Sequence, residues 1–277
     1  MGHQKRAKMH SDAYFVTGTA HPVCQDYAFA GISHCWANPK AKLLGLRDLP
    51  YGIVSDGCSS SPNTDIGSRL LVHALVSEMS SFHAKRDDEL IVRVAAIAHG
   101  VTKLLSLPEE CLDATLLCCS ESEEGPQVLM VGDGVAAARH KDGEIIAWHI
   151  EYDKSAPEYP SYKLNPTRHA RFGSEFSPFK KIHKWSSVKG FTTTKITDDF
   201  LLYQCLDSNP EIVAVMSDGV GTFEGMEWHE VVTELMSFKN TKGHFVQRRV
   251  KRFLKNCQKN GIAPYDDVSM AAVYLGE

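Results

Sequence analysis

The sequence predicts an α+β fold in which helices pack on largely antiparallel sheets. Short apolar runs in the first, middle and last parts of the chain have the length and the turn boundaries of buried strands. Two blocks between these runs instead repeat apolar residues at helical spacing. The order of elements is therefore strands, helices, strands, helices and a final strand, which is typical of an α+β domain.

The boundaries of the individual elements follow from the same patterns. Strands are predicted within 12–56, a helix begins at Thr64 behind a polar cap, and a second helix begins at Asp87 and Asp88. The remaining predictions are, in chain order, strands at 113–119, 127–132, 134–139, 144–150, 200–205 and 212–217, helices around 227–238 and 243–259, and a strand after Asp266.

Composition limits the domain count and the class of partner. The 277 residues are 43% hydrophobic and contain no linker or repeat, so we expect one domain over 12–277 behind a flexible basic tail at 1–11. A formal charge of −4 argues against bulk binding to nucleic acid. No apolar stretch approaches the roughly 18 residues that span a bilayer. The eight cysteines form no CxxC pair, and without an export signal we expect reduced thiols in a cytoplasmic protein.

Three apolar runs each end on a small residue, an aspartate and a glycine, at Asp56, Asp133 and Asp218. Taken singly, each Asp-Gly pair is typical of a plain turn. Two further acidic sites lie beside strand-like runs, at Asp26 and at Asp266–Asp267. Carboxylates that converge from five strand ends repel one another unless a cation neutralises them. The pattern therefore indicates a site for a hard metal ion.

The segment 152–197 is rich in Pro, Ser, Lys and His and has weak periodicity. It is too long for an ordinary connection in a compact domain, which leaves two interpretations. It is a disordered surface loop, or it contributes to substrate selection through its basic residues.

With these residues in place, the sequence resembles the protein phosphatase 2C family of metal-dependent serine/threonine phosphatases, as a divergent, bacterial-like member. Six motifs occur in the family's order between about Tyr14 and Leu275, and they are Gln25-Asp26, Asp56-Gly57, Asp113-Ala114-Thr115, Gly132-Asp133, Ser217-Asp218-Gly219 and Asp266-Asp267-Val268-Ser269. The resemblance implies an antiparallel β-sandwich flanked by helices on both sides (α-β-β-α). It also places 152–197 where the family carries a variable flap.

The resemblance further implies a centre of two Mg²⁺ or Mn²⁺ ions, with a possible third, that activates a water molecule to attack phosphoserine or phosphothreonine. All-oxygen ligation is typical of these ions. The implied metal ligands are Asp26, Asp56, the Gly57 carbonyl, Asp133 for a third ion, Asp218 and Asp266. Asp56 and Asp218 are the implied catalytic residues, together with His21.

Two residues depart from the family's usual pattern. His21 stands where the family commonly has a phosphate-binding arginine, and Cys58 stands where many members have a histidine proposed as a general acid. A histidine carries a charge only in mildly acidic solution, so we expect weaker or more pH-dependent substrate binding. His21 and Ser59 are the predicted substrate-binding residues, and the leaving-group proton comes from His21 or from water.

These observations leave three functions open. The first is a protein serine/threonine phosphatase, acting as a monomer on a phosphorylated protein linked to a serine/threonine kinase. The second is a pseudophosphatase that serves as a regulatory binding module, which the departures at His21 and Cys58 favour. The third is a dimetal phosphatase for a small phosphorylated metabolite.

One predicted helix carries a stripe of basic residues, namely Arg248, Arg252, Lys255 and Lys259. Such a stripe is usually a solvated face, and the alternative is docking of an acidic or phosphorylated partner.

Overall fold

Two antiparallel sheets form the centre of the molecule. The computed structural model describes residues 9–33, 49–79, 89–122, 125–199, 202–206 and 210–276. In these residues the seven-stranded sheet has the order β1-β12-β11-β6-β7-β8-β9 and the five-stranded sheet the order β10-β5-β4-β3-β2. The strands are β1 His10–Val16, β2 Tyr27–Ser33, β3 Leu49–Ser55, β4 Leu116–Ser122, β5 Gly125–Val131, β6 Gly134–Arg139, β7 Ile145–Tyr152, β8 Lys180–Ser186, β9 Gly190–Thr197, β10 Leu202–Cys205, β11 Ile212–Met216 and β12 Val268–Tyr274.

Helices cover both outer faces of the sheet pair. In chain order the α-helices are α1 Thr64–Ser77, α2 Leu90–Leu104, α3 Pro166–Glu175, α4 Trp228–Met236 and α5 Phe245–Lys259. Helices α1 and α2 share a buried apolar cluster with the five-stranded sheet. Helices α4 and α5 share another with the seven-stranded sheet. A third cluster lies between the two sheets, so the predicted α-β-β-α sandwich is confirmed.

Alternate side chains of β4 pack into two different apolar clusters. Cys118 belongs to the cluster under α1 and α2, while its neighbour Cys119 belongs to the cluster between the sheets. Successive side chains of a strand point to opposite faces, which separates this pair. Both thiols are fully buried.

The segment 152–197 has regular structure over much of its length, so the interpretation as a disordered surface loop is wrong. It contains α3 and the strands β8 and β9, which extend the seven-stranded sheet beyond β7. The sequence did not predict β8 and β9 because both are rich in polar residues. Strand β9 lies at the edge of the sheet, and its side chains are mostly exposed.

Three predicted boundaries meet the limits of the described residues. The predicted C-terminal limit of the tail, residue 11, is wrong because β1 begins at His10. Residues 1–8 of the predicted tail lie outside the described residues. The start of the second helix at Asp87 and Asp88 also lies outside them, and α2 is observed from Leu90. The strand predicted from residue 200 is described only from Leu202. None of the helices in the described ranges is both long enough and apolar enough to cross a membrane.

Candidate functional site

The predicted acidic residues gather at one edge of the sandwich. Asp56 directly follows β3 and Asp26 directly precedes β2, and the ladder pairs Tyr27 with Ser55. Because these strands are antiparallel, the end of one lies beside the start of the other. The side chains of Asp26 and Asp56 therefore meet, although 30 positions of sequence separate them.

The seven-stranded sheet brings its own carboxylates to the same edge. Met216 pairs with Met270, and the Ser217 N–H donates to the Ser269 carbonyl at 3.1 Å. This register places Asp218, which follows β11, beside Asp266, which precedes β12. The centre is thus built from both sheets.

Asp133 lies in the tight turn between β5 and β6. The preceding Gly132 has φ of 95°, a left-handed conformation that side chains disfavour. A Cβ atom at Gly132 would also lie 2.7 Å from Thr115 Cγ2. Glycine at this position lets the chain turn sharply and brings Asp133 close enough to interact with Asp218 and Asp266.

Burial and mutual repulsion destabilise the ionised form of four of these carboxylates and so raise their pKa values. Burial, with repulsion from Asp26 and Asp218, raises the pKa of Asp56 well above its usual range. Burial raises the pKa of Asp26 to about 7. Burial is also the main reason why the pKa values of Asp133 and Asp218 are raised. A bound cation would reverse these shifts by stabilising the charged forms.

Unsatisfied oxygen atoms support the same interpretation. Both carboxylate oxygens of Asp26 and Oδ1 of Asp218 are buried without a hydrogen-bond partner of normal geometry among the described residues. Buried polar atoms rarely lack a partner, and those that do need an explanation such as an ion. Carboxylates and a nearby backbone carbonyl at Gly57 are the ligands that Mg²⁺ and Mn²⁺ prefer. The residues present therefore fit hard divalent cations.

His21 lies between the acidic cluster and the loop that carries Ser59. Its Nε2 is 3.2 Å from Ser59 Oγ. On the other side of the ring, Nδ1 is 3.2 Å from Asp267 Oδ2 and 3.4 Å from Asp266 Oδ1. His21, Asp266 and Asp267 offer ligand atoms that all lie within 4.8 Å of one another, which is a further group able to hold a metal ion. The two predicted substrate-binding residues are thus side by side.

Asp267 organises the loop that carries His21 and Asp26. Its buried carboxylate accepts hydrogen bonds from the Gly18 N–H at 2.8 Å and the Gln25 N–H at 2.6 Å. The loop packs so closely that a Cβ atom on Gly18 would lie 2.2 Å from the backbone of Asp266. Only glycine allows that approach. The side chain of Asp267 therefore fixes both ends of this loop.

Tyr159 lies near this centre and no sequence pattern marked it. Burial, with the neighbouring Cys58, raises the pKa of its hydroxyl well above its usual range, and the carboxylates of Asp133 and Asp56 add to the effect. The Sγ atom of Cys58 also lies 3.1 Å from Ser60 Oγ. Tyr159 thus presents a hydroxyl that stays protonated beside the position where the family's histidine is missing.

An interaction of Asp113 that the sequence did not predict connects the site to α3. The buried carboxylate of Asp113 accepts two hydrogen bonds from Arg168 Nη2 at 2.8 and 2.6 Å. It also accepts from Ser161 Oγ at 2.8 Å and from Ser61 Oγ at 2.9 Å. Next to it, the Cys58 N–H donates to the Asp113 carbonyl at 2.8 Å. Because Arg168 is distant in sequence, no local spacing could indicate the pair.

This geometry can be compared with known proteins. A sequence profile of the family described as protein phosphatase 2C matches residues 22–255. The chain belongs to the protein phosphatase 2C family. It is accordingly a phosphoprotein phosphatase by class, as the motifs predicted. No curated protein is similar enough in sequence to match it.

Several solved structures share this fold. The chain resembles the serine/threonine phosphatase Stp1 from Staphylococcus aureus with a TM-score of 0.54 and 13% identity, over 100% of both chains. It resembles a bacterial serine phosphatase with a TM-score of 0.52 and 13% identity, over 98% of this chain and 99% of that one. It also resembles a serine/threonine phosphatase of S. agalactiae with a TM-score of 0.51 and 12% identity, over 97% and 100%. At these identities the likeness shows the fold alone.

Proposed function

We propose that this chain hydrolyses phosphoserine and phosphothreonine in proteins with the help of two Mg²⁺ or Mn²⁺ ions. The observation that carries the proposal is the convergence of five carboxylates from both sheets, with buried oxygens that have no hydrogen-bond partner of normal geometry. The proposed ligands are Asp26, Asp56, the Gly57 carbonyl, Asp218 and Asp266, with Asp133 for a third ion.

The bound ions supply Lewis-acid chemistry, because they neutralise charge on phosphoryl oxygens and make a nucleophile available near neutral pH. Asp56 and Asp218 act as the catalytic carboxylates by holding those ions at the edge of the sandwich. This role needs both residues ionised, which their mutual repulsion opposes unless the cations are bound.

The chain's own side chains orient the substrate. His21 Nε2 and Ser59 Oγ lie 3.2 Å apart, and His21 is next to Asp266 and Asp267, so both atoms are placed to bind a phosphoryl oxygen. Asp266 and Asp267 lie 3.4 and 3.2 Å from His21 Nδ1, on the side of the ring away from Ser59, which leaves Nε2 for the substrate. Nε2 is also the atom placed to give a proton to the departing serine or threonine oxygen.

The proposed substrates are proteins phosphorylated by a serine/threonine kinase, and the proposed active form is a cytoplasmic monomer. Support for a protein substrate comes from membership of a family of protein phosphatases.

A metal-reconstitution assay tests the proposal. Protein stripped of metal is given Mn²⁺ or Mg²⁺ and a phosphothreonine peptide, alongside Asp56→Asn and a matched control, Asp142→Asn, in the exposed β6–β7 turn. Metal-dependent release of phosphate that is lost only in Asp56→Asn supports the proposal. Metal binding without turnover would favour a regulatory module, and preference for small phosphate esters over peptides would favour a metabolite phosphatase.

A further inference from the structure

A cleft outside the catalytic centre lies between the end of α4 and the first turns of α5. It encloses about 450 Å³ and is lined by nine residues, of which five are lysine or arginine and none is acidic. The five cationic residues are Lys239, Arg248, Arg249, Lys251 and Arg252. We call this feature the basic cleft.

Most of the positive charge of the basic cleft is not neutralised. Arg249 pairs with Glu234. Among the described residues, Arg248 donates only to backbone carbonyls, at 3.2 Å to Asn240 and 2.7 Å to Lys242, so no carboxylate neutralises its charge there. Lys239 and Arg252 have no ion-pair partner in the described part of the chain. A concentration of cations on a chain with a formal charge of −4 selects an anionic ligand.

The floor of the basic cleft is apolar. Phe238 and Phe245 line it, and their rings pack edge to face with centroids 5.1 Å apart. Phe245 is 1% exposed and Phe238 is 9% exposed, so the accessible edge of Phe238 is the part of this pair that a ligand can contact. An aliphatic side chain fits against that edge, whereas a free inorganic anion gains nothing from it. The ligand chemistry is therefore an apolar group flanked by negative charges.

The cationic surface continues along α5 beyond the cavity. Arg248, Arg252, Lys255 and Lys259 are exposed, and their buried counterparts on the opposite face are Val246, Val250 and Phe253. At 1.5 Å per residue, the stripe from residue 248 to 259 is about 16 Å long. That length matches about five residues of extended peptide, which favours a polypeptide over a small metabolite.

The basic cleft is at the opposite end of the sandwich from the catalytic centre. Arg139 donates to the Met236 and Phe238 carbonyls at 2.9 and 3.1 Å, and it pairs in the ladder with Ile212. The centre lies past Met216, at the other end of β11, about 15 Å away by strand rise. A ligand in the cleft leaves the centre free.

We propose that the basic cleft docks an acidic segment of the phosphoprotein substrate, with flanking carboxylates on Lys239, Arg252 and the stripe and one apolar side chain against the accessible edge of Phe238. The identity of the bound protein as a substrate rests on the proposed function. The docking step does not, because it involves none of the carboxylates of the catalytic centre.

Binding of a short fluorescent peptide to the full chain tests the proposal. The peptide has glutamates around one central leucine, and a second version has glutamines in place of the glutamates. Lys239→Glu/Arg252→Glu is compared with Lys103→Glu/Lys189→Glu, which changes the charge equally at exposed lysines on α2 and in the β8–β9 turn. We expect the cleft variant to weaken binding of the acidic peptide by about tenfold or more, and the control variant to leave it unchanged.

The same variants separate docking from catalysis. With a phosphopeptide joined to the acidic segment, we expect the cleft variant to raise KM and leave kcat and the hydrolysis of p-nitrophenyl phosphate unchanged, which also shows that it folds. Asp56→Asn, which is inactive if the proposed function holds, should still bind the acidic peptide. Equal binding by the cleft and control variants, equal binding of the glutamine peptide, or cleft-dependent binding of DNA or anionic vesicles alone would overturn the proposal.

Discussion

In the part of the chain that the structure describes, the carboxylate of Asp113 accepts four hydrogen bonds. We expect Arg168→Ala to destabilise the protein by about 2–3 kcal/mol, because it leaves a buried negative charge with two hydroxyl partners only. Urea unfolding measures the loss, and hydrogen exchange should increase along 158–176.

Arg171→Ala is the matched control on the same helix. Its partner Glu175 and the arginine itself are exposed, so little change is expected. Equal effects of the two substitutions would contradict the importance of the Asp113–Arg168 pair.

The raised pKa of Asp26 makes the stability of the metal-free protein depend on pH. Burial raises this pKa to about 7, above the value of about 3.9 for an unfolded chain. The folded state therefore binds the proton more tightly, so its contribution is present below about pH 4 and is lost as pH rises through about 7. We expect metal-stripped protein to lose about 4 kcal/mol of stability over this range.

Urea unfolding at several pH values in the presence of a chelator checks this expectation. Asp26→Asn should flatten the profile in part, because the raised pKa values of Asp56, Asp133 and Asp218 act in the same direction. Asp142→Asn should leave it unchanged, and stability that rises with pH in the stripped protein would refute the argument.

At the scale of residues, the sequence predicted those site residues that directly follow a strand. The Asp-Gly turns at Asp56, Asp133 and Asp218 have a local signature, and the structure brings these residues together. Tyr159 and Arg168 have none, because their importance comes from contacts with residues far away in the chain. Asp113 was matched to a motif, but its partners could not be found without the fold.

Helix α5 is capped by a residue from another element. Asp12 of β1 accepts hydrogen bonds from the Val246 and Gln247 N–H groups at 2.7 and 3.1 Å, so a buried carboxylate satisfies the helix N-terminus. We expect Asp12→Ala to lower the free energy of unfolding by about 1–2 kcal/mol.

Asp12→Asn retains a hydrogen-bond acceptor and should recover about half of that loss. Chemical denaturation measures both variants. An unchanged midpoint for Asp12→Ala would show that water replaces the cap without cost.

Elements with strong periodicity were predicted and those with polar sequences were not. Helix α5 was predicted at 243–259 and is observed at Phe245–Lys259, because its apolar face is regular. Strand β8 was missed because it is rich in lysine, although Lys180 is buried beside the Tyr152 ring. The burial of Lys180 depends on its contact with Tyr152, which is distant in sequence, so the strand propensity of the local residues does not predict it.

At the scale of the whole molecule, the distance between the two sheets controls the candidate centre. Gly52 of β3 faces Ala271 of β12 so closely that a Cβ atom on Gly52 would lie 2.9 Å from Ala271 Cβ. Asp26 and Asp56 belong to one sheet and Asp218 and Asp266 to the other. We expect Ala271→Val to push the sheets apart, to destabilise the protein by about 1–3 kcal/mol and to weaken metal binding.

Ala272→Val is the matched control, because Ala272 lies on the same strand and faces the helices instead. It should destabilise the fold without weakening metal binding, as measured by calorimetric titration. Equal loss of metal affinity in both variants would show that spacing between the sheets is not the cause.

The pairing of β1 has a consequence for the order in which a ribosome delivers this chain. The described part of β1 has one ladder partner, β12, and the nearby contact between Gly18 and Asp267 joins residues 249 positions apart. At a synthesis rate of about 5–20 residues per second, β1 waits roughly 12–50 seconds for that partner to be made. Over that interval the nascent polypeptide has an unpaired strand and an incomplete set of carboxylates, so a chaperone that shields β1 should raise the yield of native protein during translation.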